Sequence, residues 1–451
     1  MSLISRVVSR AAPTANGDIR HILALAWPMM ITAVVVSLSQ NLQIAILGNG
    51  VQSQTLLTLS FLQPFNFLFI AIMECLAITN QVFSARSRHD WPRQRIRQSS
   101  FLLAVAGVVA TLLVAALCWL LATPLARWMN SDDLSLMRSA APGYLLSMAP
   151  FLALEVVNAA LRGQGRTVQA MSLMCSYVLF NAAGCYLGFH VYQLGFDAVL
   201  LANSIPALLL LPWAVMALGR VTTPVPDDRP GAFIPRLLAL LADAGIPVFF
   251  SMLVVFFSSM ALFPLVAKLG EGYLPAFLIV IKLRAFFIIP AVAIGSAIAI
   301  LFNQRLKTHV LAQQVRLLNS GVGMIALVYF LLTLALCWSG GGIVAGFSND
   351  ATIRQASQTL LVLLLPTFFL TSLVAALQTL LEQLERGKRV LLFTVLLELL
   401  MVAVALAAAR YFDNIRMIAV LIVLFNLLYA TVFLREYRLL AKALGERDAA
   451  V

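Results

Sequence analysis

Twelve continuous apolar runs, each long enough to cross a bilayer, constrain this sequence more than any other feature. They lie near 22–47, 55–84, 99–122, 139–161, 169–189, 197–218, 240–267, 276–303, 317–338, 356–381, 390–409 and 417–434. A spanning helix needs about 20 mostly apolar residues, because the hydrocarbon is about 30 Å thick and each residue rises about 1.5 Å. The runs are continuous rather than alternating, which excludes a membrane β-barrel. In lipid every backbone N–H and C=O has to be bonded within the protein, and a continuous apolar run achieves that as a helix. The expected fold is therefore all-α and polytopic, with twelve transmembrane helices. With 61% hydrophobic and 11% charged residues, the chain has too little polar surface to fold its 451 residues in water. The first run follows Arg6, Arg10, Asp18 and Arg20, is too long for a signal h-region and is not followed by a small-residue cleavage site, so it reads as a retained helix.

A formal charge of +12 invites a nucleic-acid reading, but the positions of the cations argue otherwise. With the N-terminus in the cytoplasm, about 23 of the 31 Lys and Arg fall on the cytoplasmic side, about six fall outside, and two lie within the eighth run. That bias fixes orientation and predicts both termini in the cytoplasm, and the expected location is the bacterial inner membrane. The densest cluster, Arg86, Arg88, Arg93, Arg95 and Arg97, follows the second run, whereas Gly48 to Thr55 carries no charge. Such a loop faces solvent and lipid headgroups, so membrane lipid is the expected partner, with no nucleic acid and no obligate protein partner.

Enzyme chemistry has no foothold in the pattern. Cys75, Cys118, Cys175, Cys185 and Cys337 all lie within apolar runs without CxxC spacing, and His21, His89, His190 and His309 occur singly at helix ends or in loops. Gly387-Lys388 lacks the upstream glycine of a phosphate-binding loop. No catalytic residue, metal site or cofactor is expected.

Internal repetition is more informative. The first run begins LALAWPMM and the seventh LLADAGIPVFF, and both close on Leu-Gly-x-Gly, at Leu47 to Gly50 and Leu269 to Gly272. Pro28 pairs with Pro247, and Asn80-Gln81 returns as Asn303-Gln304, in each case about 220 residues on. Gly219 to Arg236 holds four prolines and mixed charge and reads as the linker. The domains expected are a six-helix lobe at 1–218, a cytoplasmic linker at 219–236 and a second six-helix lobe at 237–451. With six spans each, the lobes are parallel repeats around a central cavity.

The stretch YLLSMAPFLALEVVNAALRGQGRT carries a resemblance. Leu161-Arg162-Gly163-Gln164-Gly165-Arg166-Thr167 is similar to the L-R-G-x-G-(D/R)-T turn of the multidrug and toxic compound extrusion (MATE) family of the wider flippase superfamily, and Leu381 to Gly387 is a degraded copy with both glycines replaced. The resemblance covers nearly the whole chain. It implies an antiporter that exports organic solutes against inward flow of protons or sodium. The chain departs from the family at two places: the acid usual in helix 1 falls at Gln43, and the acid usual in helix 5 falls at Cys185, although Asn181 and Tyr186 are kept.

An ionisable group at bilayer depth costs at least about 2.5 kcal/mol on insertion scales, so each one is a functional candidate. Gln63, Glu74 and Gln81 fall within about 20° of one line on helix 2, a polar stripe that either handles an ion or bonds helices together. Glu155, Asn158 and Arg162 share a face of helix 4, with Arg162 near enough to the membrane edge to pair with a lipid phosphate instead. Ser39 and Gln43 with Thr32 on helix 1, and Tyr177, Asn181 and Cys185 on helix 5, form stripes suited to line a cavity. Lys282 and Arg284 point to different sides of helix 8, so at least one is expected to reach the cavity unless both snorkel to the outer headgroups. The resemblance mildly supports Lys282. Glu398, among leucines on a helix that the family resemblance places away from the cavity, reads as a structural pair.

Driving protons need a group that titrates. Gln43 cannot, and a buried thiol such as Cys185 has the wrong reference pKa, near 8.5. The coupling role therefore falls to Glu155, with Glu74 second, while Gln43 and Cys185 only line the cavity. The expected function is export of an amphipathic small molecule such as a drug, siderophore or secondary metabolite, in exchange for H+ or Na+. The alternative is a flippase for a lipid-linked saccharide or precursor, which needs a more cationic cavity than Lys282 and Arg284 provide.

Overall fold

The computed structural model describes residues 15–48, 62–90, 93–124, 136–221, 233–267, 273–306, 311–345, 351–408 and 415–449, and the described residues contain helices and turns but no strand. The first half comprises α1 (Ala15–Gly48), α2 (Gln63–Asp90), α3 (Arg93–Leu120), α4 (Ala141–Gly163), α5 (Thr167–Tyr186) and α6 (Asp197–Val221). The second begins with α7, formed by Phe233–Leu240, a wider π-type turn at Leu241–Gly245 and Ile246–Ala267. It continues with α8 (Tyr273–Arg305), α9 (Leu311–Ala345), α10 (Ala351–Leu381), α11 (Gly387–Ala408) and α12 (Ile415–Ala449). Eleven described stretches are long and apolar enough to span a membrane. One of them, the 58-residue stretch Ala351–Ala408, is two helices, because Leu384 (φ −100°, ψ 26°) and Glu385 (φ 61°, ψ 25°) break it. Twelve membrane helices result, as the apolar runs predict.

The chain divides into two compact units, residues 31–253 and residues 1–30 with 254–451. In the first unit α4 is the central helix. Leu152, Leu154, Val156 and Leu161 are fully buried, and α4 packs against α2, α3 and α6. The outer helices invert the soluble pattern: Phe101 and Leu113 on α3 and Leu209 and Trp213 on α6 are exposed, which lipid tolerates and water does not. Gly245 lets the wider turn of α7 lie directly on α2, since a methyl there would run into Thr79 and the Cys75 carbonyl.

In the second unit α10 plays the central part, packed against α8, α9 and α12, with Phe368 fully buried and its ring edge-on to Phe287 at 5.1 Å. Trp338 on α9 is almost wholly exposed. Gly295 brings α8 onto the α10 backbone at Ala376, as Gly163 brings α4 onto α2 at Gln81 and Ser84.

The turn after the central helix is the clearest structural repeat. After α4, the Gly165 N–H donates to the Arg162 carbonyl at 2.8 Å and the Arg166 N–H to Leu161 at 2.9 Å, and Gly165 takes φ 78°. About 220 residues later Glu385 holds the corresponding left-handed conformation, so the degraded motif keeps its geometry without its glycine. A side chain in that region costs about 1–2 kcal/mol. Glu385→Gly is therefore expected to be more stable than Glu385→Ala by about 1 kcal/mol, the reverse of the order inside a helix, where Ala is better than Gly by a similar amount. Thermal unfolding of the purified variants in detergent checks this, and an Ala variant as stable as the Gly variant would refute the shared turn.

Candidate functional site

Membrane-spanning helices that carry polar side chains must bond them to one another, and the first unit does so at two centres. The first joins α2 and α4. Glu155 on α4 is buried and pairs with Arg162 two turns later on the same face at 2.6 Å. The Arg162 Nε donates to the Gln81 Oε1 of α2 at 3.0 Å, and the Asn158 Nδ2 approaches the second Glu155 oxygen at 3.4 Å. Glu74, partly buried on α2, lies within electrostatic range of both Glu155 and Arg162. Of the helix 2 stripe, Glu74 and Gln81 thus face this cluster, and the side chain of Gln63 lies outside the described residues. Arg162 takes a carboxylate partner from its own helix.

Neighbouring polar residues hold that geometry. Asn80 donates to the Val156 carbonyl at 2.7 Å and to Ser100 at 2.9 Å, Ser99 donates back to Asn80 at 2.9 Å, and Ser84 donates to the Ala160 carbonyl at 2.7 Å. Asn80-Gln81 therefore divides its work, the asparagine fixing α2 against α3 and α4 and the glutamine orienting Arg162. In the second unit Asn303 likewise donates to the Gln383 carbonyl at 3.1 Å, and Gln383 donates to Ser296 at 3.0 Å.

Electrostatically the first centre is unbalanced. With both carboxylates ionised, two negative charges lie near one guanidinium, an excess of one that a proton or a monovalent cation would neutralise.

The second centre brings together three residues chosen from the sequence and two that were not. Gln43 on α1 donates to Asn181 at 2.8 Å and to Asn203 at 3.2 Å. Asn181 donates to the Ala202 carbonyl at 2.9 Å and to Asn203 at 3.1 Å, and Asn203 donates to Ser147 at 3.3 Å. The Tyr177 hydroxyl reaches the Asn203 carbonyl at 3.4 Å, with its ring stacked on Phe151 at 4.5 Å. Asn203 on α6 is the hub, and its signal in the sequence was a lone asparagine within LLANSIPALLL. Cys185 is fully buried in the apolar core of this unit, and the side chain of Ser39 lies outside the described residues.

The second unit has a cavity of about 190 Å³ lined by Arg284, Glu398, Tyr429, Asn426, Thr371 and Gln378. Arg284 lines this cavity, and Lys282, two residues earlier on α8, is exposed and does not line it. Glu398 accepts a hydrogen bond from Tyr429 at 2.8 Å and another from Ser258, and it also feels Arg284. Asn426 of α12 and Asn203 of α6 are about 220 residues apart, so both halves place an asparagine of their last helix at a polar centre.

These features define a class: a polytopic helical membrane protein built from two repeats, with charged groups enclosed at membrane depth. The family model MatE matches residues 28–187 and 247–407, one match in each half. The chain belongs to this family of membrane transporters within the MOP superfamily.

Solved structures agree on the fold. The VcmN MATE transporter of Vibrio cholerae superposes in its bent form with a TM-score of 0.85 at 16% identity, covering 95% of this chain and 98% of that one, and a point mutant of it gives 0.86. A MOP superfamily transporter from Pyrococcus furiosus, described as having a binding pocket of reverse polarity, superposes with a TM-score of 0.76 at 18% identity over 94% of this chain and 96% of that one. No curated protein matches the sequence.

A paired charge that loses its partner is far costlier than a pair removed together. Arg162→Met is expected to lower stability by about 3–5 kcal/mol, and Glu155→Gln in the same chain to recover most of that loss. Thermal unfolding in detergent measures both. Equal destabilisation of the single and double variants would mean that the pair is not what Arg162 contributes.

Proposed function

We propose that this protein is a secondary antiporter of the bacterial inner membrane, with both termini cytoplasmic, that exports an amphipathic small molecule in exchange for protons. The observation that carries the reading is the cluster of Glu155, Arg162 and Glu74, joined by Asn158 and Gln81. A coupling ion has to bind a group whose affinity changes between outward-open and inward-open states. Two carboxylates on one guanidinium suit that role, because one proton makes the cluster neutral and its departure restores the charge.

Glu155 and Glu74 act as one unit in this proposal. In the geometry described Arg162 is paired with Glu155, so Glu74 carries the excess charge and the proton. Gln43, Asn181 and Tyr177, gathered around Asn203, line the first-half cavity without titrating, and Asn158 positions Glu155. No bound cofactor takes part, and lipid surrounds the protein without an obligate protein partner.

Charge counting makes the test specific. In proteoliposomes, Glu74→Gln and Glu155→Gln each leave the cluster neutral without a proton. Each is expected to reduce transport driven by a pH gradient by about tenfold or more while leaving substrate-for-substrate exchange intact. If both variants keep wild-type proton coupling, the carboxylate reading is wrong. If a sodium gradient drives wild-type transport and a pH gradient does not, the ion is sodium.

A further inference from the structure

Among the described residues, Arg284 is a charged group at membrane depth to which ion coupling gives no task. Its Nε is shielded from solvent and has no hydrogen-bond partner, although the residue lines the 190 Å³ cavity of the second unit. A guanidinium offers five N–H donors and no acceptor, and an enclosed cation without a hydrogen-bonding partner is strongly unfavourable.

The neighbouring polar groups are already committed. Tyr429 donates to Glu398 at 2.8 Å, and Ser258 bonds the same carboxylate. Thr371 donates to Asn426 at 2.8 Å, and Gln378 donates to Thr394 at 3.2 Å. Glu398 has two donors of its own and acts on Arg284 only through space. What the cavity has to spare is therefore donor capacity on one planar cation, and the group that fits is an anion with two acceptor oxygens.

The remaining walls fix the rest of the ligand. Phe277, Leu364, Val374 and Phe425 make them apolar and partly aromatic. A volume of about 190 Å³ equals roughly six waters at about 30 Å³ each, which is room for a carboxylate carried on a single aromatic ring.

We propose that this cavity is a binding site for the carboxylate of an aromatic amphipathic acid, held by the Arg284 guanidinium with its ring against Phe277 and Phe425, and that Glu398 is the internal anion with which the ligand competes. The assignment deepens the antiporter reading by naming a cargo class, and rests on that reading for its meaning as a transport site. Binding itself needs no gradient.

The test is equilibrium binding of radiolabelled benzoate to the purified full-length protein in detergent, with benzamide as the uncharged isostere. Benzoate is expected to compete and benzamide to fail at ten times the concentration. Arg284→Met and Arg284→Gln are expected to weaken binding by at least about tenfold, and Arg284→Lys, which keeps the charge without the fork, by less. Glu398→Gln is expected to tighten binding several-fold by removing the competing anion.

That increase cannot come from misfolding, so it decides the matter even where an Arg284 variant fails to fold. Equal competition by benzamide, wild-type affinity in folded Arg284→Met, or weaker binding in Glu398→Gln each overturns the proposal. Benzoate binding without coupling to either protons or sodium would remove the antiporter reading and keep the site. Coupling without benzoate binding would do the reverse.

Discussion

Polar groups within a bilayer have no water to turn to, and that constraint decides which helices of this protein meet. Asn80 satisfies itself on the backbone of α4, and Ser84 does the same one turn later. Because those carbonyls belong to a helix, the bonds fix rotation and depth together, and the Gly163 contact removes the remaining slack. Asn303 applies the same device between α8 and the end of α10. The charged cluster of the first unit depends on this frame. Arg162 can pair with Glu155 and Gln81 at once only because α2 and α4 are held in one register.

The two halves share this frame and differ in their chemistry. Each ends its central helix in a left-handed turn, at Gly165 and at Glu385, and each keeps an asparagine of its last helix at a polar centre. The first half has two carboxylates around one cation, and the second has one carboxylate and one cation facing the same cavity. Repetition of fold with divergence of charge lets each half keep its packing while its polar centre changes.

Much of this was legible in the sequence because it depends on length and period. Twelve apolar runs and the 220-residue offset need no knowledge of contacts, and the shared face of Glu155, Asn158 and Arg162 follows from helical geometry alone. What escaped depends on which helices are neighbours. In the sequence Asn203 is an isolated polar residue of helix 6, and it becomes the hub of a network only when α1, α4 and α5 converge on it. Glu398 reads as a structural pair, but its partners Tyr429 and Ser258 lie on other helices and are not announced by the leucines around it. Lys282 and Arg284 pose the same problem. Helical phase separates their faces without saying which one meets α11 and α12.

We propose that one uncompensated negative charge between α2 and α4, which sits on Glu74 while Arg162 is paired with Glu155, carries the coupling ion. The double variant Glu155→Gln with Arg162→Gln isolates it, because removing one charge of each sign restores the wild-type balance with Glu74 alone. Proton-driven transport by this variant in proteoliposomes, set beside Glu155→Gln, measures the claim directly. The double variant is expected to regain the coupling lost in the single one. A folded double variant that still exchanges substrate but stays as uncoupled as Glu155→Gln would contradict it.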